Sequence, residues 1–277
     1  MRTVDAQYGV RLLAIATDAV TGAADGLRTG FRSRPDVDYK EDRHDPVTAY
    51  DRSAEERIRD TIFAGEPDSL IVGEEEGVTG TGAVRWYVDP IDGTSNFVHG
   101  LAFFCSSVAA TVDGRVVAAA VYDPLRDDLF TASPAGAWHN GTRLTSTGAT
   151  AETAALLLSG YPSPRHLAED RDRALARFDT LVRTYATVRR VGSTVLALAY
   201  VAAGWADVAL GLNVSPWDLA AASLLVTQAG GHFAGLRTGD GTEPPWYGPG
   251  YVATTGSLPS PSTVYSVFAD THRPVRG

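Results

Sequence analysis

Residues 89–100 read D-P-I-D-G-T-S-N-F-V-H-G and follow an apolar run that ends in W-Y-V. Asp89 and Asp92 therefore stand three positions apart at the end of a predicted strand, where their charges repel unless a cation joins them. Pro90 predicts a local turn that points both carboxylates to one place and presents the carbonyl of Ile91 beside them. These oxygen atoms predict a cation site at the end of the strand.

The residues that follow the two acids predict an anion site next to the cation. Gly93 permits close approach of the backbone to a ligand. A helix that opens at Thr94 would direct the N–H groups of Gly93, Thr94 and Ser95 outward, where they can bind phosphate oxygens. A metal site and a phosphate site would then adjoin each other.

Two further groups of acids come at the ends of predicted elements. Glu74, Glu75 and Glu76 follow S-L-I-V-G, and Asp218 follows Trp217 at a predicted helix start. Each group has an ordinary explanation as well, such as a solvated loop or an acid that favours the helix dipole. Mg²⁺, however, is typically held by a few carboxylates and the phosphate of a substrate. The joint occurrence of these acids in this order favours a magnesium site.

The composition indicates an ordinary globular protein with a large core. The chain has 277 residues, 44% of them hydrophobic, a formal net charge of −9 and a pI near 5.1. This balance argues against a nucleic-acid polymer as partner, since that needs clustered Lys and Arg. Cys105 is the only cysteine and is expected to be a small buried side chain in a strand. With no long apolar run, we expect a cytoplasmic protein that does not enter a membrane.

The pattern of the chain predicts layered α/β structure with mixed sheets. Ser53 and Glu56 form a capping-box pattern for the second helix, and Asp113-Gly114 indicates a tight hairpin. We expect an N-terminal half over 1–145 and a C-terminal half over 146–277. Strands are predicted over 69–72, 84–88, 103–112, 115–122, 127–132, 137–141, 206–210 and 251–254. Helices are predicted over 5–29, 53–65, 166–185, 194–203, 216–229 and 262–270, and a surface loop over 237–249.

Several segments together closely resemble the signatures of the inositol monophosphatase family of Mg²⁺-dependent, lithium-sensitive phosphatases. The resemblance implies a five-layer α-β-α-β-α sandwich, commonly a homodimer, with the active site between its two halves. The segments are G-E-E at 73–75, the twelve residues at 89–100 and W-D-L-A-A at 217–221, with weaker agreement at 40–51, 121–124, 136–141, 191–193 and 227–231.

The resemblance also assigns roles to residues of this chain. It implies one Mg²⁺ on Glu74, Asp89 and the Ile91 carbonyl, a second on Asp89, Asp92 and Asp218, and a weaker third near Glu74. Glu74 and Thr94 would orient the attacking water, with Asp51 supporting Thr94. Substrate contacts are implied for Asp92, Gly93, Thr94, Ser95, Gly192, Ser193 and Thr194, and Lys40 and Glu75 are further candidates near the metals.

Two ions can neutralise a phosphate monoester, activate water and stabilise the leaving alkoxide, so direct in-line attack by water needs no phosphoenzyme. The expected function is hydrolysis of a small phosphorylated metabolite similar to inositol monophosphate. The alternatives are adenosine 3′,5′-bisphosphate or another nucleotide, a sugar phosphate, histidinol phosphate or an intermediate of specialised metabolism. A non-catalytic binding protein would be expected to have lost a metal acid, and none is lost here.

Three departures from the family pattern bear on the choice of substrate. In inositol monophosphatases an acid seven residues before the W-D aspartate commonly contacts substrate hydroxyls, and that position is Gly211 here. The missing side chain is expected to remove hydrogen bonds to a polyol and to open space. Ser215 stands where several members carry His, and Ala222 where the motif usually ends in Gly. Ser193 fits a helix cap as well as a substrate contact.

Overall fold

The computed structural model describes residues 6–40, 46–237, 242–258 and 263–276. Parts of four predicted segments lie outside these ranges. They are residues 5 and 262 of two predicted helices, part of the resembling segment at 40–51 and part of the predicted loop over 237–249. The described helices are α1 Ala6–Gly22, α2 Ala24–Gly30, α3 Ala49–Gly65, α4 Thr94–His99, α5 Pro164–Thr184, α6 Thr194–Ala203, α7 Pro216–Gln228 and α8 Thr263–Phe268, with 3-10 turns at Glu152–Ala154 and Pro245–Tyr247.

Two details of the N-terminal helices differ from the prediction. The helix expected over 5–29 is interrupted after Gly22, whose carbonyl accepts a hydrogen bond from the Arg57 side chain. The helix predicted over 53–65 is α3, which begins at Ala49, so the predicted capping box at Ser53 is wrong. The cap is Thr48, whose N–H and hydroxyl both donate to the Asp51 carboxylate at 2.7 Å.

The first large sheet is built from residues between 69 and 143, next to a separate short β1–β2 pair, Asp38–Tyr39 and Pro46–Val47. Its order is β10-β9-β8-β7-β6-β5-β3-β4, parallel between β3 and β5 and otherwise antiparallel. The predicted hairpin at Asp113-Gly114 is confirmed between β6 and β7, and Cys105 is buried in β6. The strands are β3 Ser69–Gly73, β4 Gly77–Gly80, β5 Val84–Asp92, β6 Cys105–Val112, β7 Arg115–Asp123, β8 Asp128–Ser133, β9 Gly136–His139 and β10 Thr142–Arg143.

The second large sheet has the order β12-β11-β13-β15-β14-β16 and is also mixed. Strand β11 pairs in parallel with β12 and β13, and the other pairs are antiparallel. Strands β11, β12, β14 and β16 were not among the predicted elements. The bounds are β11 Leu156–Ser159, β12 Thr187–Arg189, β13 Val208–Leu212, β14 His232–Arg237, β15 Gly250–Thr254 and β16 Arg273–Arg276.

The helices and sheets form five layers, as predicted. Helices α1 and α3 pack on one face of the first sheet, and α7 packs on the other face. Helices α6 and α7 also contact the second sheet, whose far side is covered by α5 and α8. Three apolar clusters fill the spaces between these layers. The division at residues 145 and 146 stays a prediction.

None of the helices within the described ranges has both the length and the apolar character needed to cross a bilayer.

Candidate metal centre

A bulge in β5 brings Asp89 and Asp92 together. Asp89 pairs with Ser107, and Asp92 pairs with Cys105. The interval between the two pairs is three residues along β5 but two along β6, so β5 holds one extra residue. The turn predicted at Pro90 is therefore wrong: Pro90 lies in the strand, at the kind of irregularity where a sheet tolerates proline. Its carbonyl accepts a hydrogen bond from Ser106 at 2.7 Å. The extra residue lets both carboxylates leave the strand on the same side.

Helix α7 supplies the third carboxylate of the cluster. Asp218 is the third residue of α7, and its carboxylate accepts the N–H of Ser215 at 2.8 Å in a capping box. Asp89, Asp92 and Asp218 each offer an oxygen within 4.8 Å of the others. Asp218 thus takes part in the capping box of α7 and belongs to the carboxylate cluster at once. The N–H of Ser215 fixes the direction of its carboxylate.

One oxygen of the cluster lacks a protein partner. Within the described part of the chain, the buried Oδ1 of Asp89 makes no hydrogen bond. Burial, followed by the charges of Glu74, Asp92 and Asp218, raises the pKa of Asp89 well above its usual range. Burial likewise raises the pKa of Asp218 well above its usual range and that of Asp92 to about 6. A bound cation would relieve both the repulsion and the unsatisfied oxygen, so these residues fit a divalent metal.

Glu74 lies beside this cluster but outside the set of three. Its carboxylate accepts a hydrogen bond from Lys40 at 2.9 Å, and Lys40 also donates to Glu75 at 2.7 Å. Burial raises the pKa of Glu74, and the charge of Lys40 opposes that rise. The three residues thus form an ion-pair group next to Asp89.

Glu55, a buried acid that was not predicted from the sequence, holds the backbone that follows β3. Glu55 of α3 accepts the N–H groups of Glu75 and Glu76, both at 2.8 Å. It fits because residue 73 is glycine: a Cβ there would lie 2.5 Å from the Glu55 carboxylate. A Glu buried on a helix gives no distinctive signal in a single sequence.

Thr94 contacts Asp51, as the resemblance implies, and it also contacts the Ile91 carbonyl. The Thr94 hydroxyl lies 3.1 Å from Asp51 Oδ1 and 2.9 Å from the Ile91 carbonyl oxygen, and either can accept its proton. Asp51 is buried, which raises its pKa. Since a carbonyl oxygen has two lone pairs, the Ile91 carbonyl retains one for another ligand.

The first turn of α4 and the segment before α6 approach each other closely. Gly93 has φ +96°, and a Cβ there would lie 3.1 Å from the Phe103 carbonyl and 3.2 Å from that of Gly192. Ser95 follows as an exposed residue. Asn96, not singled out from the sequence, donates to the carbonyls of Phe103 and Val191, both at 2.7 Å. Its hydrogen bonds join the two segments that carry predicted substrate contacts.

Ser193 and Thr194 contact the metal cluster directly. The Ser193 hydroxyl donates to the Asp92 carboxylate and also accepts the Leu196 N–H as the cap of α6. The backbone N–H groups of Thr194 and Val195 donate to Asp92 at 3.1 and 2.9 Å. The predicted cap role of Ser193 is confirmed, and the same hydroxyl supplies a donor to Asp92, whereas its contact with a substrate stays a prediction.

A cavity of about 260 Å³ opens from this centre and is lined by Asp218, Ser193 and Thr194 at one end. The space expected at Gly211 is not open, which corrects the prediction. Gly211 pairs with Tyr251 across β13 and β15, and a Cβ on Gly211 would lie 2.4 Å from the Tyr251 ring. The ring occupies the volume that the missing side chain leaves.

The layered sandwich and the buried carboxylates agree with the class found by comparison with known proteins. The chain belongs to the inositol monophosphatase family, whose sequence profile matches residues 10–263. The family is Mg²⁺-dependent, and its members act on small phosphorylated substrates.

The chain is similar over most of its length to individual members of this family. The chain is 40% identical over 229 residues to the Nus factor SuhB of Pseudomonas aeruginosa, covering 79% of this chain and 83% of that protein. The crystal structure of extragenic suppressor protein suhB from Bartonella henselae matches with a TM-score of 0.80 at 30% identity, over 89% of this chain and 94% of that one. Inositol monophosphatase from Anabaena matches with a TM-score of 0.75 at 30% identity, over 89% and 91%.

Proposed function

We propose that this protein is a Mg²⁺-dependent phosphomonoesterase that hydrolyses a small phosphorylated metabolite. The observation that carries the proposal is the buried cluster of Asp89, Asp92 and Asp218, in which Asp89 Oδ1 lacks a hydrogen-bond partner among the described residues. A cluster with this much uncompensated charge is costly for folding and is explained by cation binding.

The residues proposed to hold the metal are the three aspartates, Glu74 and the carbonyl of Ile91. When bound, Mg²⁺ neutralises phosphate charge, lowers the pKa of water and stabilises the leaving oxygen. Lys40 fits as a counter-charge for Glu74 and Glu75, since it lies within 2.9 Å of both.

Thr94 and Asp51 are proposed to position the attacking water. When Thr94 donates its proton to Asp51, its free lone pair can accept a hydrogen bond from a water molecule and fix the direction of attack. Asp51 in turn stays fixed by the N–H and hydroxyl of Thr48. Glu74 completes this arrangement, and the mechanism involves no covalent intermediate on the protein.

The substrate's phosphate would lie against the first turn of α4, near Gly93, Thr94 and Ser95, with its alcohol portion in the 260 Å³ cavity. Inositol monophosphate is one candidate for the ester. A nucleotide, a sugar phosphate, histidinol phosphate and an intermediate of specialised metabolism are the others, because Gly211 supplies no carboxylate for a polyol. Lithium sensitivity and a homodimer are further expectations from the family.

Phosphate release from a panel of monoesters tests this function. We expect release with Mg²⁺, little with a chelator, and a loss of several orders of magnitude in Asp92→Asn, whose circular dichroism should stay that of the parent. Asp25→Asn is the matched control, because this acid is exposed and its partner is Arg28. Full activity of Asp92→Asn would refute the site.

A binding role is the second candidate, because relatives about as long as this chain are named Nus factors. The two roles make different demands on the metal cluster. A binding role predicts that no ester is hydrolysed and that a partner is retained by Asp92→Asn. Ester hydrolysis that depends on Asp92 favours the enzyme.

A further inference from the structure

Strand β6 presents one side chain opposite each aspartate of the bulged strand β5. Asp92 pairs with Cys105, and Asp89 pairs with Ser107. Directly opposite residues of an antiparallel pair have their side chains on the same face, with Cβ atoms about 4.5–5.5 Å apart. Cys105 and Ser107 are two positions apart and share a face of β6, and Cys105 Sγ lies 3.8 Å from the Asp92 carboxylate. The Ser107 side chain therefore lies on the face that carries the metal cluster.

The two aspartates of β5 differ in their protein partners. The Asp92 carboxylate accepts hydrogen bonds from the Ser193 hydroxyl and from two backbone N–H groups at the start of α6. The buried Oδ1 of Asp89 accepts none within the described part of the chain. The Ser107 hydroxyl is fully buried and likewise has no partner among the described residues. Two unsatisfied polar groups thus belong to one cross-strand pair beside the metal cluster.

A cation on Asp89 would allow both groups to be satisfied together. A buried hydroxyl without a hydrogen bond costs free energy, and so does a buried carboxylate oxygen without a proton, a donor or a cation. A carboxylate oxygen has two lone pairs, so a cation can take one while a hydroxyl donates to the other. Carboxylates that bind metals are commonly held by such hydrogen bonds, and the loss of one typically lowers metal affinity about 10–100-fold.

We propose that Ser107 is a positioning residue of the metal centre, whose hydroxyl donates a hydrogen bond to the Asp89 carboxylate when that carboxylate holds a divalent cation. This inference rests on the proposed Mg²⁺-dependent function and adds one residue to its metal centre. Ser107 supplies to Asp89 the kind of donor that Ser193 supplies to Asp92. It acts through the carboxylate and contacts neither the substrate nor the cation.

Thermal unfolding of the full chain over a range of Mg²⁺ concentrations, without substrate, gives the Mg²⁺ Kd that tests this role. Ser107→Ala should raise that Kd by about tenfold or more. Thr255→Val is the matched control and should leave the Kd unchanged. The Thr255 hydroxyl is also buried without a partner among the described residues, but it follows the Thr254–Val208 pair, at the end of β15 remote from the cavity. An unchanged Kd in Ser107→Ala would overturn the inference.

The same titration separates metal positioning from ordinary packing. Without Mg²⁺, Ser107→Ala should unfold at the temperature of the parent or above it, because the variant loses a hydroxyl that has no partner. A hydroxyl that supports the fold itself would give the reverse, a lower unfolding temperature without Mg²⁺. That result, or failure of Ser107→Ala to fold, would also overturn the inference.

Hydrolysis provides a second readout of the same role. In Ser107→Ala, the Mg²⁺ concentration that gives half-maximal phosphate release from inositol 1-phosphate should rise about tenfold, whereas kcat at saturating Mg²⁺ should change less than about threefold. A lower kcat with an unchanged Mg²⁺ requirement would overturn the inference, because the hydroxyl would then act on the reaction.

The metal measurements keep this inference distinguishable from the proposed function. If the parent binds Mg²⁺ but hydrolyses no ester, the phosphatase function is contradicted, and the two Kd values still decide the role of Ser107. If the parent hydrolyses esters with Mg²⁺ and Ser107→Ala has the parent's Kd, the function stands and the inference fails. A parent that binds no Mg²⁺ would overturn both.

Discussion

The two ends of the active-site cavity are built in different ways. At the metal end, Asp89 and Asp92 come from one bulged strand and Asp218 from a helix cap, and the chain leaves a buried oxygen without a partner. At the alcohol end, Tyr251 and His166 have partners on several sides and no formal charge is needed. The metal end thus costs folding free energy, whereas the alcohol end contributes to it.

The metal end is proposed to carry out the reaction, and the alcohol end is proposed to select the ester. A bound cation needs oxygen ligands at fixed positions, so the same carboxylates are required whichever alcohol leaves. The alcohol end depends on shape, and a glycine on one strand matters only because of the tyrosine on the next. Changes at the metal end should therefore alter turnover for all esters, and changes at the alcohol end should alter the choice among them.

Asp89→Asn should produce the largest effect and test the cost of the metal end. We expect kcat to fall by about 10³-fold or more, because several kcal/mol of charge stabilisation is lost. Without Mg²⁺ at pH 8, the same variant should unfold at a higher temperature than the parent, since it removes a charge that faces three other acids. Steady-state kinetics and thermal unfolding measure the two effects, and Asp25→Asn controls for charge. A lower unfolding temperature would mean that Asp89 stabilises the unliganded fold.

Thr94→Val should have the next largest effect. The methyl group keeps the volume but cannot link water to Asp51, so we expect kcat to fall about 10²-fold with little change in KM. Thr94→Ser retains the hydroxyl and should keep most of the activity. If Val and Ser variants lose activity equally, the hydroxyl does not orient the water and the role assigned to Thr94 is wrong.

The metal end was predictable because its residues are close in sequence to element ends. Carboxylates after W-Y-V and at a helix start indicated a cation site, and the structure brings Asp89, Asp92 and Asp218 together. The bulge was not predicted, since proline in a turn and proline in a bulge look the same in one sequence. Thr48 was missed as a cap because Ser53 and Glu56 match the preferred pattern more closely.

The alcohol end was less predictable because it depends on pairing between distant strands. The neighbour of Gly211 is Tyr251, forty residues further on, and only the register of β13 with β15 reveals that the ring fills the gap. Strands β11 and β14 are short and flank helices, so their apolar residues gave no clear period-two pattern. His166 was read only as part of a charged helix.

Gly211→Ala tests whether the glycine serves the tyrosine. The added Cβ would meet the Tyr251 ring at 2.4 Å, so we expect the free energy of unfolding to fall by about 1–3 kcal/mol. Gly160→Ala is the matched control, because it also lines the cavity and a Cβ there meets nothing within 4 Å. Chemical denaturation measures both, and combining Gly211→Ala with Tyr251→Leu should cost less than the sum of the single changes. Additive losses would show that the two residues are not coupled.

Stabilisation by Mg²⁺ should depend on pH, with the smallest effect of the four. Burial raises the pKa of Asp92 to about 6, so between its usual value and pH 6 the folded state binds more protons than the unfolded state. Without metal, stability should therefore fall as pH rises through this window. Mg²⁺ competes with those protons, and at about fivefold its Kd it should add about 1 kcal/mol at pH 8 and less at pH 5.5. Thermal unfolding at both pH values measures the gain, which Asp89→Asn should largely lose. An equal gain at both values would place Mg²⁺ away from the buried carboxylates, because only a site made of those groups must give up protons to bind it.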